Sequence, residues 1–472
     1  MSHRPSRRRF LQATAALAAG PFIIKPHIVG AGDMPAPSNR ITLGLIGPGK
    51  QGSSHLAALV RRSDVQILAI CDVQEEKRQA AKKAIETIVG VASKDPKERP
   101  TTADPDSSTT MSPWTAAQLS AGANKGPATK PNDVKYYGDF RDVLARPDID
   151  AVLIATPDHW HAAMIMHAAA AGKDIYCEKP LTLTIREAQR VVEQVHRYGR
   201  VFQTGSQQRS SREFRFACEM VRSGRIGELK QVIVATGLTS KERDLPAEPV
   251  RKGVDWNMWL GPAPEQTFNK ILCPPIEDQN WAMWRLYRDF SGGAMTDFGA
   301  HHFDIAQWAV GADHSGPVEI LPMIPESAPG KKDGRWLTMK YANGVELQHA
   351  NTFEIFGGGG LKFIGTEGQI DVDRGTLKTY PKSIGKLTTL PNEVHLYKSP
   401  GHHEDFLRAV RTRSQTICPV EVGARSVSVC HLGNICYWLN RPLKYNPQTW
   451  SFEGDEEANR WLDRAKRAPW YV

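Results

Sequence analysis

The sequence lacks the features that mark several classes of protein. Its seven cysteines, spread over 472 residues, form no C-x-x-C pair, which argues against a disulfide framework and a zinc ribbon. No basic cluster with interleaved aromatic residues is present, so we expect no nucleic-acid partner. The apolar run near the N-terminus is short and alanine-rich, so we expect no stable membrane span. The remaining composition, 40% hydrophobic and 24% charged, is ordinary for a globular protein of two domains.

The first residues resemble an export signal. Ser6-Arg7-Arg8-Arg9-Phe10-Leu11 precedes an Ala/Leu-rich run that ends at Ala19, a pattern typical of twin-arginine signals. The alternative is a basic N-terminal helix with no targeting role. We predict that residues 1–39 are a twin-arginine signal and linker, and that the protein is exported to the periplasm or cell envelope.

A glycine fingerprint follows the first predicted strand. Residues 41–46 have a buried-strand pattern, and a G-x-G-x-x-G turn leads from them into a helical segment. The first glycine allows a tight turn, the second lets the backbone approach a pyrophosphate, and the third lets helix and strand pack closely. The helix N-terminus faces the anion. This context predicts a dinucleotide site formed by Gly47, Gly49, Lys50, Gln51 and Gly52.

Asp72 indicates which dinucleotide binds. The next strand pattern, residues 65–71, ends in Asp72, twenty residues after Gly52. An acid at this place accepts hydrogen bonds from the adenosine ribose and repels a 2′-phosphate. Because no arginine follows it immediately, we predict NAD as the cofactor, with NADP disfavoured.

The pattern along the chain predicts an α/β domain followed by an α+β domain. Strand and helix patterns alternate over residues 40–210, which is typical of a Rossmann, doubly wound parallel sheet. Residues 92–132 lack periodicity and are predicted to be a surface insertion, partly disordered or acting as a lid. Over residues 211–440, strands without intervening helices predict a mostly antiparallel open sheet that binds substrate and mediates oligomerisation. Residues 441–472 are assigned to a C-terminal extension.

Two motifs bring ionisable groups to the predicted cleft. A short apolar strand pattern is followed by Glu178-Lys179-Pro180, and we interpret Glu178 and Lys179 as an ion pair at the strand's end. Open α/β folds bind their ligands at this edge of the sheet. Downstream, Asp297 and His301 have the i, i+4 spacing that places two side chains on one helix face. A base, an acid and a lysine near a nicotinamide are what alcohol oxidation requires. The alternative for Glu178 and Lys179 is that they are ordinary surface charges.

From about residue 40 onward the chain resembles the Gfo/Idh/MocA oxidoreductase family. The motifs that carry the resemblance occur in the family's order: Gly47-x-Gly49-x-x-Gly52, Asp72, Thr156-Pro157…His161, Glu178-Lys179-Pro180 and Asp297-x-x-x-His301. The C-terminal region resembles the exported subgroup. The resemblance implies that Lys179 touches the reacting hydroxyl and the nicotinamide, that Asp297 orients the sugar, and that His301 is the catalytic base. It also implies a cofactor site that includes Thr156, Pro157, His161, Glu178 and Lys179.

Four further residues are candidates for binding the substrate. Trp284 and Tyr287 lie in an aromatic and basic stretch that either stacks on sugar rings or packs in the core. Arg209 follows the last predicted Rossmann strand, and His302 adjoins His301. The histidine pairs match no recognised ligand pattern, so we expect no metal site.

These predictions together describe an NAD-dependent oxidoreductase acting on a CH–OH group of a sugar, glycoside or polyol, with its cofactor retained. One alternative is a glycoside-cleaving enzyme that works through transient oxidation and elimination, although the presence of Lys179 favours plain redox chemistry. A second alternative is a sugar-binding relative with a decayed site, which the intact Lys179, Asp297 and His301 argue against. We expect a homo-oligomer, with the open sheet as its contact surface.

Overall fold

The computed structural model describes residues 35–92, 127–278, 280–323, 336–350, 360–386 and 389–470. The predicted export signal and most of the predicted insertion at 92–132 lie outside these ranges. Among the described helices, none combines the length and the apolar character needed to cross a bilayer.

The first sheet is the predicted Rossmann sheet. Its described strands are all parallel and lie in the order β3-β2-β1-β4-β5-β6. The strands are β1 Ile41–Ile46, β2 Val65–Cys71, β3 Lys135–Tyr137, β4 Ala151–Ile154, β5 Asp174–Cys177 and β6 Phe202–Thr204. The strand order reverses between β1 and β4, which opens a crevice at their carboxyl ends.

Helices connect these strands: α1 Lys50–Val60, α2 Glu75–Ala92, α3 Phe140–Leu144, α4 Asp158–Ala170 and α5 Ile185–Arg197. The start of α5 is fixed by a capping box in which Thr184 Oγ1 accepts from the Glu187 amide, while the Glu187 carboxylate accepts from the Thr184 amide. Strand β4 is buried at every position, which explains its unbroken apolar sequence. Strand β3 was not predicted, because its three residues are exposed or half-buried and form no apolar pattern.

The end of the predicted insertion is packed in part. Helix α2 continues to Ala92, and Ala128 and Thr129 are buried when the described chain resumes. Thr129 Oγ1 accepts a hydrogen bond of 3.0 Å from the Ile67 amide of β2. Ala128 and Thr129 are therefore packed against the Rossmann domain, whereas Lys130 and Asn132 are exposed as predicted for a surface segment.

The second sheet is mostly antiparallel, as predicted. Its order is β13-β12-β11-β7-β10-β9-β8-β14-β15, and of its described pairs only β7 with β10 is parallel. The strands are β7 Leu229–Ala235, β8 Glu319–Met323, β9 Trp336–Lys340, β10 Glu346–Ala350, β11 Gly360–Gly365, β12 Gln369–Asp373, β13 Thr376–Tyr380, β14 Leu443–Asn446 and β15 Ser451–Phe452.

Helices of the second half cover this sheet and join it to the first domain. Their bounds are α6 Arg212–Arg222, α7 Trp256–Leu260, α8 Ala294–Asp297, α9 Gly299–Val310, α10 His402–Thr412, α11 Val420–Leu439 and α12 Glu456–Arg460. Helix α9 packs against β7, α6 and α11, and α11 also packs against α5 of the Rossmann domain. The position of α9 is thus fixed from both domains.

A segment between β7 and α8 folds back over the Rossmann domain, and we call residues 251–278 and 280–290 the roof. The roof has its own small apolar core, which includes Trp259, Phe268 and Phe290. It is tied to the loop between β2 and α2 by backbone hydrogen bonds of 2.9 Å from Glu75 N to Gly253 O and 3.1 Å from Asp255 N to Val73 O. The roof therefore covers the crevice beside Asp72.

The C-terminal region is integrated into the fold. Strand β14 pairs with β8 in the second sheet. Trp470 packs edge-on against Trp160 of α4 with ring centroids 4.7 Å apart. The residues predicted as an extension, 441–472, thus contact both domains where they are described.

Candidate active site

A cavity of ≈ 530 Å³ lies at the carboxyl ends of β1, β2, β4 and β5. Both domains and the roof line it. Such a crevice, at the point where the strand order reverses, is the usual ligand site of an open α/β sheet.

The glycine fingerprint forms one end of this cavity. Gly47 has φ +88°, and a Cβ there would lie 2.7 Å from Ala155 O. A Cβ on Gly52 would collide with Gly47 O. Helix α1 begins at Lys50 with its N-terminus at the cavity, and Gly47, Gly49, Lys50 and Gln51 line the wall. This bare, close-packed turn fits a dinucleotide pyrophosphate.

Asp72 lies at the end of β2 in the cavity wall, where the prediction placed the adenosine ribose. Its Oδ1 accepts a hydrogen bond of 2.8 Å from the Gln74 amide. Burial raises the pKa of Asp72, and Lys77 and the Gln74 amide counteract it. Lys77 lines the same wall and was not part of the sequence argument for NAD.

Lys179 and Asp297 form the central pair of the cavity. Lys179 Nζ lies 2.7 Å from Asp297 Oδ1 and 3.0 Å from Asp297 O. Burial alone would raise the pKa of Asp297, but Lys179 and then Arg285 outweigh it, and the pKa is lowered. Asp297 is therefore an anion that fixes the Lys179 ammonium at the cavity wall.

Glu178 does not pair with the side chain of Lys179, contrary to the expected ion pair. Its carboxylate is 2.7 Å from His55 Nε2 and accepts from Gln207 Nε2 at 2.8 Å and Gln51 Nε2 at 3.2 Å. Burial opposes ionisation, yet the hydrogen bond from His55 and its charge lower the pKa of Glu178. Glu178 thus holds α1 against β5, while Lys179 is left to pair with Asp297.

His301 enters the cavity from the first turn of α9. Asp297 and His301 do not share one helix, because α8 ends at Asp297 and Phe298 separates it from α9. Both nevertheless line the cavity. Burial, then the charges of Lys179 and Arg374, lower the pKa of His301 well below its ordinary value. His301 is therefore neutral at neutral pH.

Two family models match this chain over nearly all of its length. The description "Oxidoreductase family, NAD-binding Rossmann fold" matches residues 41–206, and "Oxidoreductase family, C-terminal alpha/beta domain" matches residues 220–472. The chain belongs to the Gfo/Idh/MocA oxidoreductase family. The resemblance drawn from the motifs is thereby confirmed.

Known Gfo/Idh/MocA relatives differ in activity. The chain is 24% identical to a 1,5-anhydro-D-fructose reductase of Ensifer adhaerens over 61% of this chain and 76% of that protein. It is 28% identical to a glycosyl hydrolase family 109 protein of Shewanella putrefaciens, over 48% of this chain and 45% of that protein. The aldose-aldose oxidoreductase of Caulobacter crescentus has the same fold, with a TM-score of 0.54 at 15% identity over 86% of this chain and 99% of that one.

The remaining residues of the Gfo/Idh/MocA motifs support the cavity or line it. Thr156 and Pro157 line the wall. His161 is buried behind it, with its ring nitrogens 2.9 Å from Thr156 O and 2.8 Å from Pro180 O. His161 therefore ties the ends of β4 and β5 together and does not itself line the cavity.

Three of the four predicted substrate-binding side chains do not line the cavity. Arg209 is buried and pairs with Asp304 of α9 and with Asp313, both at 2.7 Å. Tyr287 is buried in the roof core, and His302 is buried behind His301. Trp284 alone of the four is part of the cavity wall. A buried arginine needs paired acids, which is why Arg209 serves the position of α9.

The structure adds cavity residues that the motifs did not predict. Arg285 stacks on Trp284 at 4.2 Å and lies 3.6 Å from Asp297. Asp158 receives a hydrogen bond of 2.6 Å from Ser291, and burial raises its pKa to about 7. Arg374, in the turn between β12 and β13, also reaches the wall. Nothing in the local sequence of Arg374 distinguishes it from an exposed turn arginine.

Metal binding has no support in the described part of the chain, where no group of three or more His, Cys, Asp or Glu side chains could hold an ion. The seven cysteines are buried and unpaired.

Proposed function

We propose that this protein is an NAD-dependent oxidoreductase that transfers a hydride between the nicotinamide and a hydroxyl-bearing carbon of a sugar, glycoside or polyol. The observation that carries the proposal is the Lys179–Asp297 pair, which lies with His301 in the same cavity as the dinucleotide fingerprint. Positioned donors and charges at the reacting oxygen are what hydride transfer to or from an alcohol needs.

The residues of the cavity divide into a cofactor end and a substrate end. Gly47, Gly49 and the N-terminus of α1 would hold the pyrophosphate, and Asp72 the adenosine ribose. The cofactor, when bound, accepts or delivers the hydride. Lys179 and His301 would contact the reacting oxygen from the opposite wall, and Asp297 keeps the ammonium in place.

A carbohydrate is the substrate class that the substrate end favours. Trp281 and Trp284 line it with Arg285 between them, 4.8 Å and 4.2 Å from their ring centroids. Aromatic faces stack on the C–H face of a sugar ring, while charged donors bind its hydroxyls. The relative named as a 1,5-anhydro-D-fructose reductase acts on such a compound.

The test is oxidation or reduction of a carbohydrate panel. Purified protein is mixed with aldoses, polyols and glycosides, or with keto-sugars, and nicotinamide absorbance is followed. We expect a change with at least one compound, which Lys179→Ala abolishes. No change across the panel in either direction, with a cofactor bound, would contradict the proposal.

Glycoside cleavage through transient oxidation is the second candidate, and the 28% identity to a glycosyl hydrolase family 109 protein favours it. In that reaction the cofactor ends in its starting redox state, so a released leaving group is the signal. Nitrophenyl glycosides distinguish the two: release of nitrophenol without net NADH indicates cleavage, and NADH without nitrophenol indicates oxidation.

We also propose that the protein is exported folded with its NAD bound, and that it oxidises one carbohydrate and reduces another on the same cofactor. The twin-arginine pattern supports export, and the aldose-aldose activity named for a structural neighbour supports a coupled cycle.

Assembly into a homo-oligomer through the second sheet, whose edge strand β13 has exposed positions, is part of the same proposal. Light scattering of the purified protein tests the oligomer, and fractionation of the native host tests export.

A further inference from the structure

Arg374, in a turn of the second sheet, is connected to His301 through the side chain of Gln208. One terminal atom of the Gln208 side-chain amide lies 3.1 Å from both Nε and Nη2 of Arg374, and the other lies 2.5 Å from His301 Nδ1. Arg374 Nη1 is 3.3 Å from His302 Nε2. Gln208 and Arg374 both line the cavity beside His301.

Donor and acceptor chemistry fixes the direction of every bond in this chain. A guanidinium has donors only, so the amide atom that faces Arg374 must be the oxygen of Gln208. The amide nitrogen, which also only donates, therefore faces His301. Nδ1 of His301 must then be the acceptor, and a neutral imidazole that accepts at Nδ1 carries its proton on Nε2.

We propose that Arg374 and Gln208 are positioning residues that hold His301 in the neutral, Nε2-protonated tautomer, so that His301 is a hydrogen-bond donor to the reacting oxygen rather than the base. This proposal rests on the proposed redox reaction for its catalytic meaning. It departs from the role that the family resemblance implied for His301.

The surroundings of His301 act against a second proton on its ring. Protonation at Nδ1 would place an N–H against the amide nitrogen of Gln208, and rotating that amide would turn its NH₂ group toward Arg374. Burial and the charges of Lys179, Arg374, His302 and His402 lower the pKa of the ring, in the same cavity as the carboxylates of Asp297 and Glu178.

His302 supports Arg374 in this arrangement. Its Nδ1 is 3.2 Å from Ala235 O, so the Nδ1 proton is donated there and Nε2 accepts from Arg374 Nη1. Burial lowers the pKa of His302 to about 4, so the ring is neutral and keeps this tautomer. His302 thus fixes Nη1 of Arg374, and Nε and Nη2 of the same guanidinium are directed at Gln208.

Lys179 is left as the group that exchanges the proton. In the reductive direction, hydride adds to the carbonyl carbon while the Lys179 ammonium gives its proton to the carbonyl oxygen, and the alcohol forms. His301 donates a hydrogen bond to that oxygen throughout and neither gains nor loses a proton. Lys179 then regains a proton from solvent. In the oxidative direction Lys179 first gives a proton to solvent, and its neutral amine then takes the hydroxyl proton as the hydride leaves the carbon.

Nitrogen NMR on the intact parent protein tests the tautomer without substrate. The protein is labelled with ¹⁵N-histidine and studied as purified, and His301 is assigned by comparison with His301→Gln. We expect a neutral ring at pH 7 with the proton on Nε2. A neutral ring protonated on Nδ1, or an imidazolium at pH 7, would overturn the proposal even if the redox reaction is established.

Gln208→Glu is the matched variant, since a carboxylate accepts from Arg374 and from His301 alike. We expect it to move the His301 proton to Nδ1, or to make the ring cationic, and to shift the acid limb of kcat/KM to higher pH. Lys378→Gln removes an exposed cation on β13 from the same hairpin and is expected to change neither signal. Parent-like spectra and pH profile in Gln208→Glu would contradict the proposal.

Discussion

Lys179 Nζ lies 2.7 Å from Asp297 Oδ1, and this pair joins the end of a Rossmann strand to the start of the helical layer on the second sheet. Each partner comes from a different domain, so the substrate end of the cavity exists only when both domains are in place. The side chains are largely buried, and Asp297 also faces Arg285 at 3.6 Å. The Asp297 carboxylate therefore pairs with both Lys179 and Arg285.

Removing Lys179 or His301 should lower turnover strongly while the cofactor stays bound. We expect Lys179→Ala and His301→Ala each to lower kcat by roughly 10²–10⁴, because each removes a group at the reacting oxygen. The double variant should lose much less than the product of the two effects. Steady-state kinetics with the best substrate of the panel measure this, and near-parental kcat in either single variant would refute the assignment.

Asp72 should set the preference for NAD. Asp72→Ser removes a charged acceptor for the ribose, which is worth about 1.5–3 kcal/mol, so the Kd for NAD should rise roughly 10–100-fold. The Kd for NADP should fall or remain unchanged. The variant lacks the Asp72 carboxylate that repels the 2′-phosphate, while Lys77 still lies in the same wall. Calorimetric titration of cofactor-free protein measures both constants. Unchanged NAD affinity would show that Asp72 is not the ribose ligand.

Asp158 should make the stability of the protein fall as pH rises. Its pKa is raised from 3.8 to about 7 by burial, so the folded protein keeps a proton that the unfolded chain releases. Stability from this group is therefore present below pH 4 and is lost progressively up to pH 7, by roughly 4 kcal/mol.

Asp158→Asn is expected to remove that part of the pH dependence, because an amide can still accept from Ser291 and does not titrate. Urea unfolding at pH 5 and pH 8 provides the comparison, with Glu193→Gln, an exposed carboxyl on α5, as the control. If parent and Asp158→Asn lose equal free energy of unfolding between the two pH values, the carboxyl is not buried in its neutral form.

Trp281 of the roof should slow the release of the cofactor. It is half-exposed and lies 5.6 Å from Lys50 Nζ, on the fingerprint turn, and 4.8 Å from the Arg285 guanidinium. Two such cation–π contacts are worth about 1–2 kcal/mol, so Trp281→Ala should speed NAD dissociation roughly 5–30-fold. Stopped-flow displacement measures the rate. Tyr380→Ala, an equally exposed aromatic outside the cavity, is the control.

The roof lines the cavity, and the sequence did not predict this role. From the sequence, residues 92–132 are a candidate lid, and most of them lie outside the described residues. In the structure the segment around Gly253 and Asp255 is hydrogen-bonded to the loop between β2 and α2. The sequence of the roof has no periodic pattern, because its core is built from scattered aromatic residues, and so its role was not predicted.

Sequence patterns predicted both sheets, since strand β4 and helix α9 are buried along their length and their sequences are correspondingly apolar. They failed where a residue's role depends on distant partners. Arg209 was predicted to touch substrate but is paired with Asp304. Arg374 and Gln208 meet His301 only through tertiary contact, and no local pattern marks them.

The central claim is that this chain carries NAD as a resident cofactor for carbohydrate redox chemistry, and nicotinamide absorbance of the purified protein tests it most directly. Protein is isolated without added cofactor and mixed with one carbohydrate at a time. We predict near-stoichiometric bound NAD(H), a single-turnover absorbance change with an oxidisable sugar, and reversal when a carbonyl sugar is added. A substoichiometric cofactor content, with turnover that depends on added NAD, would contradict retention, and no absorbance change with any carbohydrate would contradict the function itself.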